Sequence, residues 1–263
     1  ALLANQMVGN AGDAAVLELT VFGPTLAFDA PLRIALCGAR VDAVHEDLDG
    51  HRHAVPHGRP VTLAPGTVRL GSVRAGLRAW CAFAGGIDVP APLGSRSTDL
   101  RGGFGGFEGR ALRVGDVLTL CPHAVPPPAS PVEAPAWWVA LDHGIPADAP
   151  IRYVPQVAAA AALAAQGWRV DPRSDRQGVR LQGAALPVPP GERVSAPVAP
   201  GTLQLPPDGQ PIVLLADAQT VGGYAALGHV IAADLPRLAQ VRPGEPLRFA
   251  AVDAAASRTA WQR

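Results

Sequence analysis

Lysine is absent from this 263-residue chain: all 22 basic residues are arginine, and they balance 22 acidic ones. Without lysine there is neither a Walker-type phosphate loop nor a Schiff-base amine. Without excess or clustered charge there is no electrostatic footprint for nucleic acid or an anionic membrane. Cysteine is scarce. Cys37, Cys81 and Cys121 lie far apart with no C-x-x-C spacing, which fits reduced, buried thiols rather than a disulfide framework or a metal knuckle. No apolar run approaches a membrane span, and no basic region followed by an apolar core opens the chain, so a cytoplasmic protein is expected. Gly-x-Ser-x-Gly and His-Glu-x-x-His are missing too, which leaves serine-hydrolase and zincin chemistry without support.

What is abundant is glycine and proline, 29 and 28 residues, punctuating short apolar runs. Strands are predicted at 15–21, 33–37, 61–63, 68–70, 79–84 and 117–120, and again at 137–141, 151–154, 178–181, 202–205, 212–216 and 247–252. This texture suggests barrels or sandwiches. Helices are predicted at 2–7, at 156–166 after Pro155 and before Gly167, and at 227–233.

The two halves echo each other. Pro65-Gly66-Thr67 leads to an apolar strand and Gly85-Gly86, just as Pro200-Gly201-Thr202 leads to one and Gly222-Gly223; Gly115-Asp116 and Gly244-Glu245 follow in the same order. Three ordered anchors argue for a duplication with a period far beyond that of solenoid repeats. The expected layout is a first domain over 1–124, a proline-rich connector over 125–135 and a second domain over 136–263.

The densest polar segment is Pro200 to Tyr224, where Gln204, Asp208, Gln210, Asp217, Gln219, Thr220 and Tyr224 surround the apolar run 212–216 beside Gly222 and Gly223. Amides and hydroxyls on strand ends next to glycines suit a small polar ligand. In the first half, Arg96, Ser97 and Thr98 follow Gly94, an arrangement able to grip a carboxylate or phosphate, although a structural loop pinned by its arginine is the slightly stronger reading. Gly103-Phe104-Gly105 lacks the third glycine and the βαβ setting of a dinucleotide site. His45, His51, His53 and His57 superficially form a metal tract, but their glycine-bearing, polar context reads as an exposed loop, and no metal site is expected.

Together, Ala4-Asn5 with Val8-Gly9-Asn10, Glu18 with Gly23-Pro24, Gly85 to Pro90, Leu93 to Thr98, Gly109-Arg110, Asp175-Arg176 with Gly178, and nearly all of Gly201 to Tyr224 resemble the family of 5-oxoprolinase C-type subunits and biotin-dependent carboxyltransferases, also described as KipA and allophanate hydrolase subunit 2. The resemblance implies a mainly β chain of two tandem cyclophilin-like β-barrel domains with few short helices. It implies the C-type subunit of an ATP-dependent 5-oxoprolinase complex, a hetero-oligomer that opens the lactam of 5-oxoproline to glutamate with A-type and B-type companions. Such a chain is inactive alone, and ATP is bound by the complex. The resemblance also leaves two alternatives: a KipA-like regulator that grips a homologue of the B-type companion, or a carboxyltransferase half acting on urea or another small amide, where biotin rides on a separate carrier. Carried over with it are catalytic roles for Asp217, Gln219 and Tyr224, and substrate contacts from Arg96, Ser97, Thr98, Gln204, Asp208, Gln210, Thr220, Gly222 and Gly223. Ala218 and Ala225 replace an arginine and a proline of the family pattern, Val221 a threonine, and Asp99 a common tyrosine. The family's leading Gln-Asp-x-Gly-Arg and Gly-Ala-x-Asp motifs precede the point where this sequence starts, so an N-terminal segment is expected to be missing.

Overall fold

A computed structural model describes residues 1–140, 148–188 and 194–262. The chain is mainly β with few short helices and divides into two compact units, Ala1–His143 and Gly144–Arg263.

The first unit begins with α1 (Leu2–Val8), stopped by the left-handed Gly9. One sheet follows: β1 (Leu17–Thr20), β2 (Thr25–Phe28), β3 (Leu32–Asp47), β4 (Arg52–Ala54), β5 (Pro60–Leu63), β6 (Gly66–Phe83) and β7 (Val132–Glu133). The order is β1-β6-β3-β5-β7, with β2 added to β6 and β4 to β3. The predicted runs 33–37, 68–70 and 79–84 are therefore pieces of two long strands of 16 and 18 residues. These pair antiparallel from Ile34 opposite Phe83 to Asp47 opposite Gly66, with register shifts between Gly38 and Ala43. Such bulges bend a ribbon and reset its alternation, which is why it reads as fragments. One half of the ribbon pairs with β1 and β5, the other with β2 and β4.

Leu19, Ile34, Leu36, Val61, Leu63, Val68, Leu70 and Phe83 form the core of this unit. Ala4 and Val8 of α1 pack on Ala35, Cys37, Ala82 and Ala84 in a second, small-residue cluster. The predicted strand at 117–120 reduces to one bridge from Leu120 to Ile87, and Val117 is exposed. Residues 137–140 form no strand, and Leu141 lies outside the described residues. Within the proline-rich stretch, β7 adds to the edge of β5, and the Pro131 carbonyl accepts from Ala64 N at 3.0 Å. Proline is tolerated there because an edge strand leaves one side unpaired.

The second unit contains β8 (Ile151–Pro155), α2 (Ala161–Ala164), β9 (Trp168–Val170), β10 (Gly178–Gln182), β11 (Ala196–Pro197), β12 (Thr202–Leu205), β13 (Ile212–Leu214), β14 (Val221–Gly222), β15 (Ala225–Val230), α3 (Leu235–Leu238), β16 (Pro246–Leu247), β17 (Phe249–Ala251) and α4 (Ala254–Trp261). Eight strands run β16-β9-β10-β13-β12-β15-β8-β17, while β11 and β14 pair separately. The two outermost strands, β16 and β17, are separated in sequence by Arg248 alone. The sheet therefore curls until its edges meet in one continuous stretch of chain, a nearly closed barrel.

Its interior is filled by Tyr153, Leu163, Trp168, Leu181, Leu203, Leu205, Val213, Leu227, Val230 and Phe249. Burial of each large side chain contributes about 1.5–3 kcal/mol. The two polar tips inside are satisfied, because Tyr153 OH donates to Ala160 O at 2.6 Å and Trp168 Nε1 to Leu163 O at 2.9 Å. Two helix predictions need correction. The segment 156–166 supplies only a 3₁₀ turn, Ala158–Ala160, and the four residues of α2. The segment 227–233 is mostly β15, which pairs with β12 on one side and β8 on the other.

Candidate functional site

The polar segment of the second unit is built around β12. Leu203 and Leu205 point into the barrel, so Thr202 and Gln204 belong to the opposite face, with a register irregularity between Leu203 and Gln204. Both are nonetheless buried, Thr202 at 7% and Gln204 at 2% exposure. Gly222 of β14 explains part of that cover. A Cβ on Gly222 would fall on the Gln204 amide nitrogen and would also touch Val198, so the strap made by β11 and β14 lies directly over Gln204. Val198 N donates to Thr220 O at 2.9 Å and ties the strap down.

Beside Gln204, the Thr202 hydroxyl accepts from Ala199 N at 3.2 Å and lies 3.4 Å from His229 Nδ1. His229 sits opposite Thr202 across the β12–β15 ladder. Gly201, at φ 96°, leaves space that a Cβ would take from the His229 ring, 2.9 Å from Nε2. His229 is not legible in the sequence, where its segment reads as a helix; only the strand pairing shows that this ring shares a face with Gln204.

Gln219, Thr220 and Gly223 are exposed on the strap and its approach, Tyr224 is half-exposed, and Gly223 faces the Ser195 hydroxyl. Asp217 is gripped by Arg176 through Nε to Oδ2 at 2.6 Å and Nη2 to Oδ1 at 3.0 Å, while Asp217 N donates to Arg176 O. Arg176 is thus a fixed cation beside a segment in which Ala218 replaces one. It projects from a turn anchored on buried Asp171, whose carboxylate takes Arg173 side-chain and backbone bonds and the Gln182 amide at 2.8 Å. The Arg173 guanidinium holds the Asp171 carboxyl well below the usual range despite its burial. Asp208 and Gln210 serve the backbone: Asp208 accepts from Gln210 N at 3.0 Å, and the Gln210 amide clasps both the N–H and the carbonyl of Gly183.

Arg96, Ser97 and Thr98 belong to the first unit. Arg96 Nη1 donates to Asp13 Oδ2 at 2.8 Å, Gly105 packs against the Ser97 carbonyl, and Gly106 against the Thr98 hydroxyl. Gly109 similarly abuts the Gly103 backbone. These glycines, all with positive φ, let the loop pack on itself. Arg110 closes it by bridging Glu108 and Asp116, which pulls the Asp116 carboxyl down to about 2. Burial pushes the Cys37 thiol up to about 11 and the Cys81 thiol higher, so neither supplies a thiolate nucleophile at neutral pH.

The histidine tract is not a uniformly exposed loop. His45 is fully buried on β3, and His57 is largely buried with Nε2 donating to Val41 O at 2.8 Å, whereas His51 is exposed at the β3–β4 turn. No helix among the described residues is long and apolar enough to cross a membrane.

A mainly β chain whose second unit curls into a nearly closed barrel fits the class of carboxyltransferase domains. The family model for the carboxyltransferase domain, subdomain A and B, matches residues 1–251, and the chain belongs to that family. It is 36% identical to the C-type subunit of 5-oxoprolinase from Escherichia coli over 94% of this chain and 78% of that protein. It is also 30% identical to the urea amidolyase of Saccharomyces cerevisiae, covering 98% of this chain but 15% of the yeast protein. Among solved structures, TTHA0988 matches with a TM-score of 0.79 and 37% identity over 95% of this chain and 48% of that one. The Kluyveromyces lactis urea carboxylase matches with a TM-score of 0.80 and 28% identity, covering 24% of its chain. The chain therefore spans about half the length of TTHA0988 and a small part of the urea enzymes.

Proposed function

We propose that this chain is the C-type subunit of a cytoplasmic, ATP-dependent complex that opens the lactam of 5-oxoproline to glutamate together with A- and B-type subunits. The observation that carries the reading is the buried Gln204 amide beneath Gly222, next to the Thr202–His229 pair. Side-chain amides and hydroxyls held in fixed positions match a planar N–C=O group, which needs one donor and one acceptor at set spacing. Gln219, Thr220 and Tyr224 stand at the rim to close over the ligand, with Gly222 and Gly223 giving backbone access. Asp217, oriented by Arg176, is the group assigned to proton transfer. Arg96, Ser97 and Thr98 belong to the first unit and are assigned to an anion of their own, for which Arg96 must exchange Asp13. Asp208 and Gln210 contribute by fixing the turn that follows β12. In the same reading both units are cyclophilin-like barrels.

The residues present do not fit a triphosphate or a biotin attachment in this chain. There is no lysine for either, and the first unit's glycine-rich loop packs its glycines on its own backbone. ATP and any biotinyl carrier are assigned to companion polypeptides.

Reconstituting the chain with its A- and B-type companions and measuring ATP-dependent glutamate release tests the proposal. Gln219→Ala is expected to abolish release while leaving the melting curve in place, because an exposed strap residue contributes little packing. Glutamate release by this chain alone would overturn the division of labour. The likeness to urea amidolyase and urea carboxylase supports a second reading, carboxyl transfer to urea from a separate biotin carrier. Biotin-dependent consumption of urea with no lactam turnover would select it. Tight binding of a B-type partner with neither activity would select the regulatory role.

A further inference from the structure

We propose, on the reading of the outer face of β12 and β15 as an amide site, that His229 is its substrate-binding donor and that His229 Nε2–H takes the carbonyl oxygen of the ligand. His229 stands opposite Thr202 in the β12–β15 ladder, so its ring shares a face with Thr202 and Gln204. Gly201, at φ 96°, has no side chain where the ring lies: a Cβ there would be 2.9 Å from Nε2 and 3.2 Å from Cδ2. The imidazole therefore rests in a notch that a glycine leaves open, at a backbone conformation that favours glycine.

The hydrogen bonds around Thr202 decide which ring nitrogen carries the proton. Thr202 is 7% exposed, and its hydroxyl already accepts from Ala199 N at 3.2 Å. A hydroxyl has one proton to give, and a buried one needs an acceptor for it. His229 Nδ1, at 3.4 Å, is the acceptor the fold supplies. Nδ1 thus accepts, and the neutral ring holds its proton on Nε2. Among the described residues Nε2 has no hydrogen-bond partner. The ring is half-buried, whereas the Gln204 amide, 2% exposed, lies beneath Gly222. A donor of fixed tautomer and no internal partner therefore stands beside a covered amide. A lactam offers such a donor one carbonyl oxygen, and the contact needs alignment with Nε2–H but no proton transfer. The corresponding cyclic amine, which lacks the carbonyl, leaves the donor unpaired and is rejected.

Nitrogen-detected NMR of the full chain carrying isotope-labelled histidine, recorded at about pH 8, above the ordinary imidazole range, reads the tautomer directly, and His229→Gln assigns the ring. The free chain should show a protonated Nε2 and an unprotonated Nδ1. Adding γ-butyrolactam should shift the Nε2 resonance, and pyrrolidine should not. In calorimetry His229→Phe should bind the lactam about tenfold more weakly, while His229→Gln, whose amide nitrogen reaches the place of Nε2, recovers most of the affinity. A proton on Nδ1, an Nε2 resonance unmoved by γ-butyrolactam, or equal affinity in the wild type and His229→Phe would overturn the assignment. Lactam-dependent shifts at Nε2 without ATP-dependent glutamate release from the reconstituted complex would sustain the His229 contact and overturn the proposed activity, so the two fail separately.

Discussion

At Gly222 one hydrogen atom stands where a methyl would collide with the Gln204 amide. Because a methyl there would occupy the position of the Gln204 amide, Gly222→Ala should lower stability by about 1–3 kcal/mol, typical of overpacking, and should abolish turnover in the reconstituted complex. Denaturant melts and glutamate assays on the same preparation separate the two effects. Asp217→Asn should behave oppositely. Its ion pair with Arg176 is some two-fifths exposed on both sides, so the stability change should stay below about 1 kcal/mol while turnover falls sharply. Part of this was legible in the sequence, since Gln204 is a lone amide inside an apolar strand and the glycine pair marks a strap. Arg176 and His229 were not, because their relations to Asp217 and Thr202 cross 41 and 27 residues of chain and depend on strand pairing.

At the scale of elements, the β3–β6 ribbon depends on its irregularities. Gly38 has φ 86°, and a Cβ there would lie 2.7 Å from the Arg78 carbonyl and 2.8 Å from the Trp80 ring. Gly38→Ala should therefore destabilise the first unit by about 2 kcal/mol or more, read as a lower midpoint of its own unfolding transition. The same bulges hid the ribbon from sequence reading. β15 was hidden for another reason: Ala225-Ala226-Leu227-Gly228-His229 has little strand propensity, and pairing on both sides overrides it. β8, β10 and β12 were legible because each is a short apolar run between glycine or proline breaks.

His57 gives this ribbon a pH dependence. Burial, opposed by its bond to Val41, keeps the ring's pKa below its ordinary value. The unfolded chain, titrating near about 6.5, then takes up its proton first. Stability from His57 is complete above that pH and is lost progressively as pH falls through and below it. Urea midpoints measured from pH 7.5 to 5 should decline, and His57→Gln should flatten the decline.

For the whole molecule, the two units carry separate hydrophobic clusters. Leu36→Ala, in the first cluster, and Leu203→Ala, in the second, should each cost about 2–5 kcal/mol. Differential scanning calorimetry should show each substitution lowering the transition of its own unit; equal shifts of a single transition by both would mean that the units unfold together. The sheets of the two units contain seven and eight strands with different orders.

The seam at Arg248 has a consequence for how the chain is made. β8, the first strand of the second unit, finds its parallel neighbour in β17, whose residues leave the ribosome almost a hundred positions later. Until then the barrel must wait with an open edge, while the strands described for the first unit's sheet have all emerged once β7 has. Synthesis therefore imposes an order on folding, and a ribosome stalled before residue 246 would present all the described strands of the first unit beside a second unit exposing the strand edges most prone to aggregate.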